Sequence, residues 1–536
     1  MNFDEEIRLY ESSGILSRET VVDRFLEMAK RYPEKIAVYD AEGAITYRQL
    51  SDRLLSFGGF LSSHGIERGD RVILQIGNSR DYAVVLLGTM AAGAVPVLML
   101  QEHRSAEISC VGNTVEAKAY VSVNSGFIGN WKEMTEEVVA SVAGLKLLIT
   151  GKDSGIEGNI PLYDLQEAYL WEENRENRSV YNIPAVFLLS GGTTGAPKII
   201  PKLQEAYLYN VERCAERSRF DEKTVFLTPL SVSHDFALAN PGMLGALLKG
   251  GTVVLPELPF PEEAFDMIEE YGVNVVTIVP ALLQGWLEAA RYSGTDFSSL
   301  QLIITGAAKI DRSLGEQVKE VFGVKIQNGY GLGEGISCFT EIDDEDEVAL
   351  NTQGKPVSRY DIMRIINEDG IDVSRGEEGE LIEKGPYTFG GYYKNDTLNK
   401  TLFTEDGFFR TGDKAKMDVH GNLVILGRVR EQINRAGENV IPSEVETLLR
   451  KCSSVKDASV FGAEDEKMGE KTVAALIADT QIHRKQIVEE MLAMGVAAYK
   501  IPDEIMIVTE FPYKNIGKVD KKELCRRYEN GRKVKK

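Results

Sequence analysis

Strand and helix signals alternate through the first two thirds of this chain, and that alternation restricts it to parallel-sheet architectures. Thr20–Ala29 has the apolar spacing of a helix, and Arg71–Ile76 (RVILQI) reads as a strand. Asp81–Ala92 predicts a helix and Ala94–Met99 another strand. The pattern recurs in Thr252–Leu255 followed by Pro261–Tyr271, and in the strands Val273–Val279 and Leu302–Thr305. Past about residue 350 glycines crowd in and short strands with turns replace helices, as in a small β-barrel. A boundary falls near Gly427–Glu431. Beyond it come an amphipathic helix over Pro442–Cys452 with Ser443 as cap, strands at Ala458–Phe461 and Thr472–Ile477, a helix at Arg484–Met494 and a basic tail.

One loop carries chemistry on sight. The buried-strand run Ala185–Leu189 enters Ser190-Gly191-Gly192-Thr193-Thr194-Gly195-Ala196-Pro197-Lys198. Glycines let backbone approach a ligand closely, and free N–H groups in such a turn make an anion nest. Hydroxyl donors and a closing lysine suit a polyphosphate. A Walker A loop is excluded, because Ala196-Pro197 separates Gly195 from Lys198. Ile199-Ile200-Pro201-Lys202 then predicts an extended segment, not a helix start.

Composition narrows the partners. The 536 residues exceed one ordinary domain, and 43% are hydrophobic. A net charge of −21 argues against nucleic acid or anionic membrane, so any phosphate site must be a local positive patch. Five scattered cysteines without a CxxC pair suit a reducing cytoplasm better than a disulfide or zinc framework. The acidic start MNFDEEIRLY is unlike a secretory or transit peptide. Tyr82–Leu100 reaches the ~18 residues of a membrane span, but Gly88, Gly93 and Pro96 interrupt it; it is expected to be a buried helix and a core strand.

The phosphate loop and six later stretches resemble the acyl-adenylate-forming superfamily of acyl-CoA synthetases, nonribosomal adenylation domains and luciferases. Within it the likeness is to the stand-alone aryl-acid ligases typified by 2,3-dihydroxybenzoate–AMP ligases. The stretches are LLSGGTTGAPKIIPK (188–202), NGYGLGEG (328–335), VALNTQGKP (348–356), GPYTFGGYY (385–393), FFRTGD (408–413), GRVREQINRAGENV (427–440) and AAYKIPD (497–503). The resemblance implies an α/β fold: a large core (1–429) of two parallel-sheet subdomains plus a small β-barrel, and a small mobile α+β lid (430–536). It implies ATP and Mg²⁺, a carboxylic acid made into acyl-AMP, and transfer to a phosphopantetheine thiol of a separate carrier protein, or to coenzyme A. A non-catalytic nucleotide-binding protein is the reading from another class, opposed by Lys198, Glu334, Asp413 and Lys518 standing together.

By the same resemblance Ser190 to Gly195 and Lys198 hold phosphates, with Thr194 catalytic. Glu334 holds Mg²⁺, Tyr330 stacks on adenine, and Gly329, Gly333, Gly306 and Ala307 border nucleotide and acyl group. Asp413 accepts the ribose hydroxyls. Arg428 contacts the ribose–phosphate region and Arg430 is the lid hinge. Lys518 bridges the acid carboxylate and the α-phosphate. Gly437-Glu438-Asn439 faces the incoming thiol after the lid turns. The family often has Thr where Gly333 stands. His234, also catalytic by the resemblance, and Phe236 line the acid pocket, with Ala239, Thr277, Ile304, Gly306, Ser337 and Cys338. Aryl-acid ligases carry Asn and Ser where this chain has Asp235 and Asn240. An unpaired buried carboxylate is costly, and an amino group on the substrate would satisfy it. The expected substrate is therefore an amino acid or an aminated aryl acid, the alternative being a plain hydroxybenzoate.

Overall fold

The computed structural model describes residues 3–124, 130–151, 154–162, 183–190, 197–308, 310–428, 432–478, 483–512 and 519–533. The chain packs as two compact units, one of Met1–Gln101, Gly112–Leu189 and Ile199–Val429, the other of Glu102–Val111, Ser190–Lys198 and Arg430–Lys536.

Local rules set many element ends. The expected helix at Thr20–Ala29 forms over Val21–Arg31. Thr20 caps it: its hydroxyl accepts from the Asp23 N–H, and the Asp23 carboxylate accepts from the Thr20 N–H, both at 3.1 Å. The apolar stretch Tyr82–Leu100 resolves into a helix, Arg80–Ala91, and a wholly buried strand, Val95–Leu98. No helix among the described residues is long and apolar enough to cross a membrane. Gly88 explains the glycine in that helix. A Cβ there would stand 2.7 Å from the Leu54 carbonyl of the neighbouring helix Tyr47–Ser63, so the two backbones touch only without it.

The first unit is built around three sheets. In a seven-stranded sheet Arg71–Gln75 pairs in parallel with Val95–Leu98 and Ala119–Ser122. In a nine-stranded sheet Ile36–Asp40, Thr252–Val254, Val225–Leu227, Val275–Ile278, Leu302–Thr305 and Lys325–Gly331 run parallel. The segment expected to be a small barrel is a four-stranded antiparallel sheet, Ile362–Ile366, Gly379–Lys384, Phe409–Met417 and Leu423–Arg428. Its first and fourth strands do not pair among the described residues, so the sheet stays open.

The second unit centres on a long hairpin, Asp457–Asp465 with Gly469–Ile477, flanked by Glu504–Ile507. Its first helix starts at Pro442, which fixes φ and lacks an N–H that would go unpaired; the cap is Ile441, not Ser443. The basic tail is a helix, Lys521–Lys533, that buries Leu524 and Tyr528 against Phe461. Within this unit Lys500 is 3% exposed, bonds Glu444 at 2.7 Å and lies 3.5 Å from Glu107. Removing the cation leaves two buried carboxylates facing each other. Lys500→Met is expected to lower unfolding stability by about 3–5 kcal/mol. Urea denaturation checks this, and a loss below about 1 kcal/mol would contradict the paired-charge account.

Candidate active site

Parallel sheets bind ligands beyond the carboxyl ends of their strands, where the strand order reverses. In the nine-stranded sheet Val225–Leu227 lies between Thr252–Val254 and Val275–Ile278, so the chain steps to one side of it and then crosses back to the other. The loop after it carries His234, Asp235 and Phe236. Leu302–Thr305 leads into Gly306, and Lys325–Gly331 ends in Tyr330 and Gly331. These ends converge: a Cβ on Gly306 would lie 3.1 Å from the Gly329 carbonyl and 3.2 Å from the Phe236 ring. Ala307, next in line, holds a left-handed φ of 61° that a non-glycine residue adopts at a cost.

A directional relay surrounds Asp235. The helix Gln204–Arg217 presents Tyr207, Asn210 and Cys214 on one face, at spacings of three and four. Tyr207 donates its phenol to Asp235 Oδ1 at 2.8 Å, and Asn240 donates Nδ2 to Asp235 Oδ2 at 2.7 Å. Asn240 is turned that way because its Oδ1 accepts from Asn210 Nδ2 (2.7 Å) and Ser337 Oγ (3.3 Å). Burial pushes the Asp235 carboxyl up; Lys202, Tyr207 and Asn240 oppose it. The protein thus satisfies one lone pair on each oxygen, and an ammonium is not required to make the buried carboxylate tolerable. What remains is acceptor capacity on a side chain that keeps accessible surface.

Elsewhere in the first unit two tyrosines hold two carboxylates. Tyr330 donates its hydroxyl to Asp413 Oδ2 at 2.6 Å. Asp413 is 3% exposed and its N–H donates to Thr411 Oγ1 at 3.0 Å. Tyr392 donates to Glu334 Oε1 at 2.7 Å, while the Glu334 carbonyl accepts from the Phe389 N–H, also at 2.7 Å. Glu334 Oε2 has no hydrogen-bond donor among the described residues. A hard oxygen held at one end and open at the other fits Mg²⁺, which takes one or two carboxylates and fills its shell with phosphates and water. No cluster of three or more ligating side chains stands among the described residues, so Glu334 would hold the ion as a single protein carboxylate.

Two glycines have long-range causes. A Cβ on Gly333 would meet Ile200 Cδ1 at 3.1 Å, a tight contact that the end of the Ile200 side chain would have to ease. A Cβ on Gly335 would collide with Glu383 Oε1 at 1.9 Å. Glu383 is 1% exposed, accepts from Thr388 Oγ1 at 2.7 Å, and burial pushes its carboxyl up to about 7 against Thr388 and Lys202.

Not every expected residue lines a wall. His234 caps the short helix Asp235–Ala239 and, with Asp235 and Phe236, keeps accessible surface. Ala239, Thr277, Ile304, Ser337 and Cys338 are fully buried. Ser337 acts on Asn240 from behind, and Cys338 packs its sulfur 3.6 Å from Met363. Asn240 is 5% exposed and acts through Asp235. Ser190 ends the strand Pro184–Ser190, and Lys198 opens Lys198–Leu203, both partly exposed. Gly191, Gly192, Thr193, Thr194, Gly195, Arg430 and Lys518 lie outside the described residues, as does the Arg428 side chain. Sequence reasoning missed Lys202, Tyr207, Asn210 and Tyr392. The face at 207, 210 and 214 and the lone charge closing the apolar run KIIPK were the available signals.

Comparison with known proteins gives a consistent picture. The model of the AMP-binding enzyme family matches residues 25–393, and that of the AMP-binding enzyme C-terminal domain matches 444–518. The 2,3-dihydroxybenzoate-AMP ligase of Bacillus subtilis is 37% identical over 525 residues, 97% of this chain and 96% of the relative. The salicyl-AMP ligase / salicyl-S-ArCP synthetase of Mycobacterium tuberculosis is 35% identical, covering 96% and 92%. The apo structure of MbtA from Mycobacterium smegmatis superposes with a TM-score of 0.74 at 33% identity, over 98% of both chains.

Proposed function

The chain belongs to the AMP-binding enzyme family, and from that premise we propose that it activates an aryl carboxylic acid as its acyl-AMP and passes the acyl group to a phosphopantetheine thiol of a carrier protein acting in trans. One observation carries the reading: three carboxylates of the first unit are each held by donors of the protein, Asp235 by Tyr207 and Asn240, Glu334 by Tyr392, and Asp413 by Tyr330. In the first half-reaction a carboxylate oxygen of the acid attacks the α-phosphorus of ATP. The bond to the β-phosphate bridge breaks, and pyrophosphate leaves with its electron pair. In the second, the thiol loses its proton and attacks the acyl carbon, and AMP departs. Charge neutralisation and in-line positioning dominate the first step.

The residues divide that work. Asp413 accepts from the ribose hydroxyls, and Tyr330 fixes the carboxylate while its ring borders the adenine. Glu334 Oε2 is the ligand for Mg²⁺, which supplies positive charge against the triphosphate when bound. Lys518 neutralises charge between acid and α-phosphate, and Arg430 marks the hinge between a 1–429 core and a 430–536 lid. Thr194 and its loop hold phosphates. We place the enzyme in the cytoplasm, in siderophore or nonribosomal peptide assembly.

Asp235 sets the substrate class. Both Asp235 oxygens accept from the protein and keep a lone pair each, so the acid bears an N–H or O–H donor. An aromatic amine offers two donors without carrying a charge that must be desolvated, which favours an aminated aryl acid over a free amino acid. Pyrophosphate exchange with anthranilate, salicylate, 2,3-dihydroxybenzoate, benzoate and amino acids tests this. Anthranilate-type acids are expected to exceed benzoate at least tenfold in kcat/KM. Exchange confined to acids without a ring donor would overturn it.

Tyr330→Phe tests the ribose contact. It removes a charge-assisted hydrogen bond of about 1.5–3 kcal/mol from a buried carboxylate. The KM for ATP is expected to rise about fivefold to tenfold, with the KM for the acid within about twofold. An unchanged KM for ATP would contradict the role given to the pair.

A further inference from the structure

Lys202 ends the strand Lys198–Leu203 almost at the start of the helix that carries Tyr207, and it is 2% exposed. A buried ammonium needs both acceptors and counter-charge. Its one hydrogen bond among the described residues goes to the Tyr387 carbonyl, at 3.1 Å. Burial lowers the pKa of the Lys202 ammonium, and the carboxylates of Asp235, Glu383 and Glu334 oppose that shift.

The carbonyl it grips belongs to the segment 385–393, GPYTFGGYY. That segment bonds Glu334 twice, through the Phe389 N–H to its carbonyl and the Tyr392 hydroxyl to Oε1, each at 2.7 Å. It also carries Thr388, which bonds Glu383, and the Tyr393 N–H, which donates to the Ile199 carbonyl at 2.9 Å on the strand of Lys202. The segment is therefore fastened to that strand at both ends and to the metal-ligand candidate in its middle.

We infer that Lys202 and Tyr392 are positioning residues for Glu334: Lys202 anchors the 385–393 segment, and Tyr392 occupies Oε1 so that only Oε2 meets the cation. The inference rests on the reading of Glu334 as a metal ligand. It has a sign that separates it from simple electrostatics. As a nearby positive charge alone, Lys202 repels a cation, and its removal tightens metal binding. As an anchor, its removal loosens Glu334 and weakens metal binding.

The test is Mn²⁺ binding to the full-length protein with α,β-methylene-ATP, followed by the EPR signal of free Mn²⁺. Tyr392→Phe and Lys202→Met are each expected to weaken Mn²⁺ binding about tenfold or more, as loss of groups that orient a metal ligand does. Lys202→Arg is expected to stay within about threefold of the parent. Tyr392→Phe deletes one oxygen and keeps the ring, so it decides the matter even if Lys202→Met fails to fold. Unchanged binding in a folded Tyr392→Phe, or unchanged or tighter binding in a folded Lys202→Met, overturns the inference. The parent protein and Glu334→Gln keep the underlying reading separate. If Glu334→Gln binds Mn²⁺ as the parent does, the metal-ligand reading falls and the inference with it. If Glu334→Gln loses binding while both positioning variants keep it, only the inference falls.

Discussion

Replacing Glu334 with glutamine is expected to lower kcat/KM for pyrophosphate exchange by about a hundredfold, equivalent to about 2.7 kcal/mol of lost transition-state stabilisation. The side chain keeps its length, and glutamine's carbonyl oxygen can still accept from Tyr392. That leaves the amide NH₂ where Oε2 stood, so a donor faces the proposed cation. The charge that binds Mg²⁺ is gone while the fold is retained. Raising Mg²⁺ is expected to recover part of the rate, because the phosphates still hold the ion. Exchange assays across a Mg²⁺ series, with thermal melting as the fold control, check this. Activity within about threefold of the parent would mean that Glu334 is not the metal ligand.

The second large effect is in the acid pocket, and it is not additive. Asp235→Asn places an amide against two donors, the Tyr207 hydroxyl and Asn240 Nδ2. Asn240 resists turning over because Asn210 and Ser337 both donate to its oxygen. The single variant is expected to lose about 10²-fold in kcat/KM for an aminated aryl acid and to gain little for hydroxybenzoates. Adding Asn240→Ser removes the opposing donor, so the amide introduced in place of the Asp235 carboxylate can turn its own donor toward the substrate. The double variant is expected to prefer salicylate or 2,3-dihydroxybenzoate to anthranilate by about tenfold. A cycle over the two sites is expected to show a coupling of about 1–3 kcal/mol. Additive effects would mean that the two residues read the substrate independently.

These expectations draw on contacts that sequence reading reached unevenly, for a physical reason. The period of apolar residues located the helix near Val21 and the helix–strand split of Tyr82–Leu100, because burial and capping there are decided within a few residues. Motif spacing located Glu334, Asp413 and Asp235 by resemblance. Their partners were not legible. Tyr207 stands 28 residues from Asp235, Tyr392 58 from Glu334, and Tyr387 185 from Lys202. Such pairs are set by tertiary packing, on which local periodicity is silent. Asp235 is the clearest case: its residue type alone suggests a carboxylate without protein donors, whereas Tyr207 and Asn240 supply two. Nothing near Gly335 in the sequence shows its cause, because the space its side chain would need is taken by the distant, buried Glu383. Ser443 looked like a cap, but Pro442 had already begun the helix.

The central claim is that an acid carboxylate attacks the α-phosphorus of ATP, and oxygen tracing tests it most directly. The accepted aryl acid, labelled with ¹⁸O in its carboxylate, is turned over with ATP and a thiol acceptor, and the phosphate products are weighed by mass spectrometry. One labelled oxygen in AMP, with unlabelled pyrophosphate, is the predicted result. Label in inorganic phosphate with ADP as the nucleotide product would contradict the account, because attack would then have fallen on the terminal phosphorus.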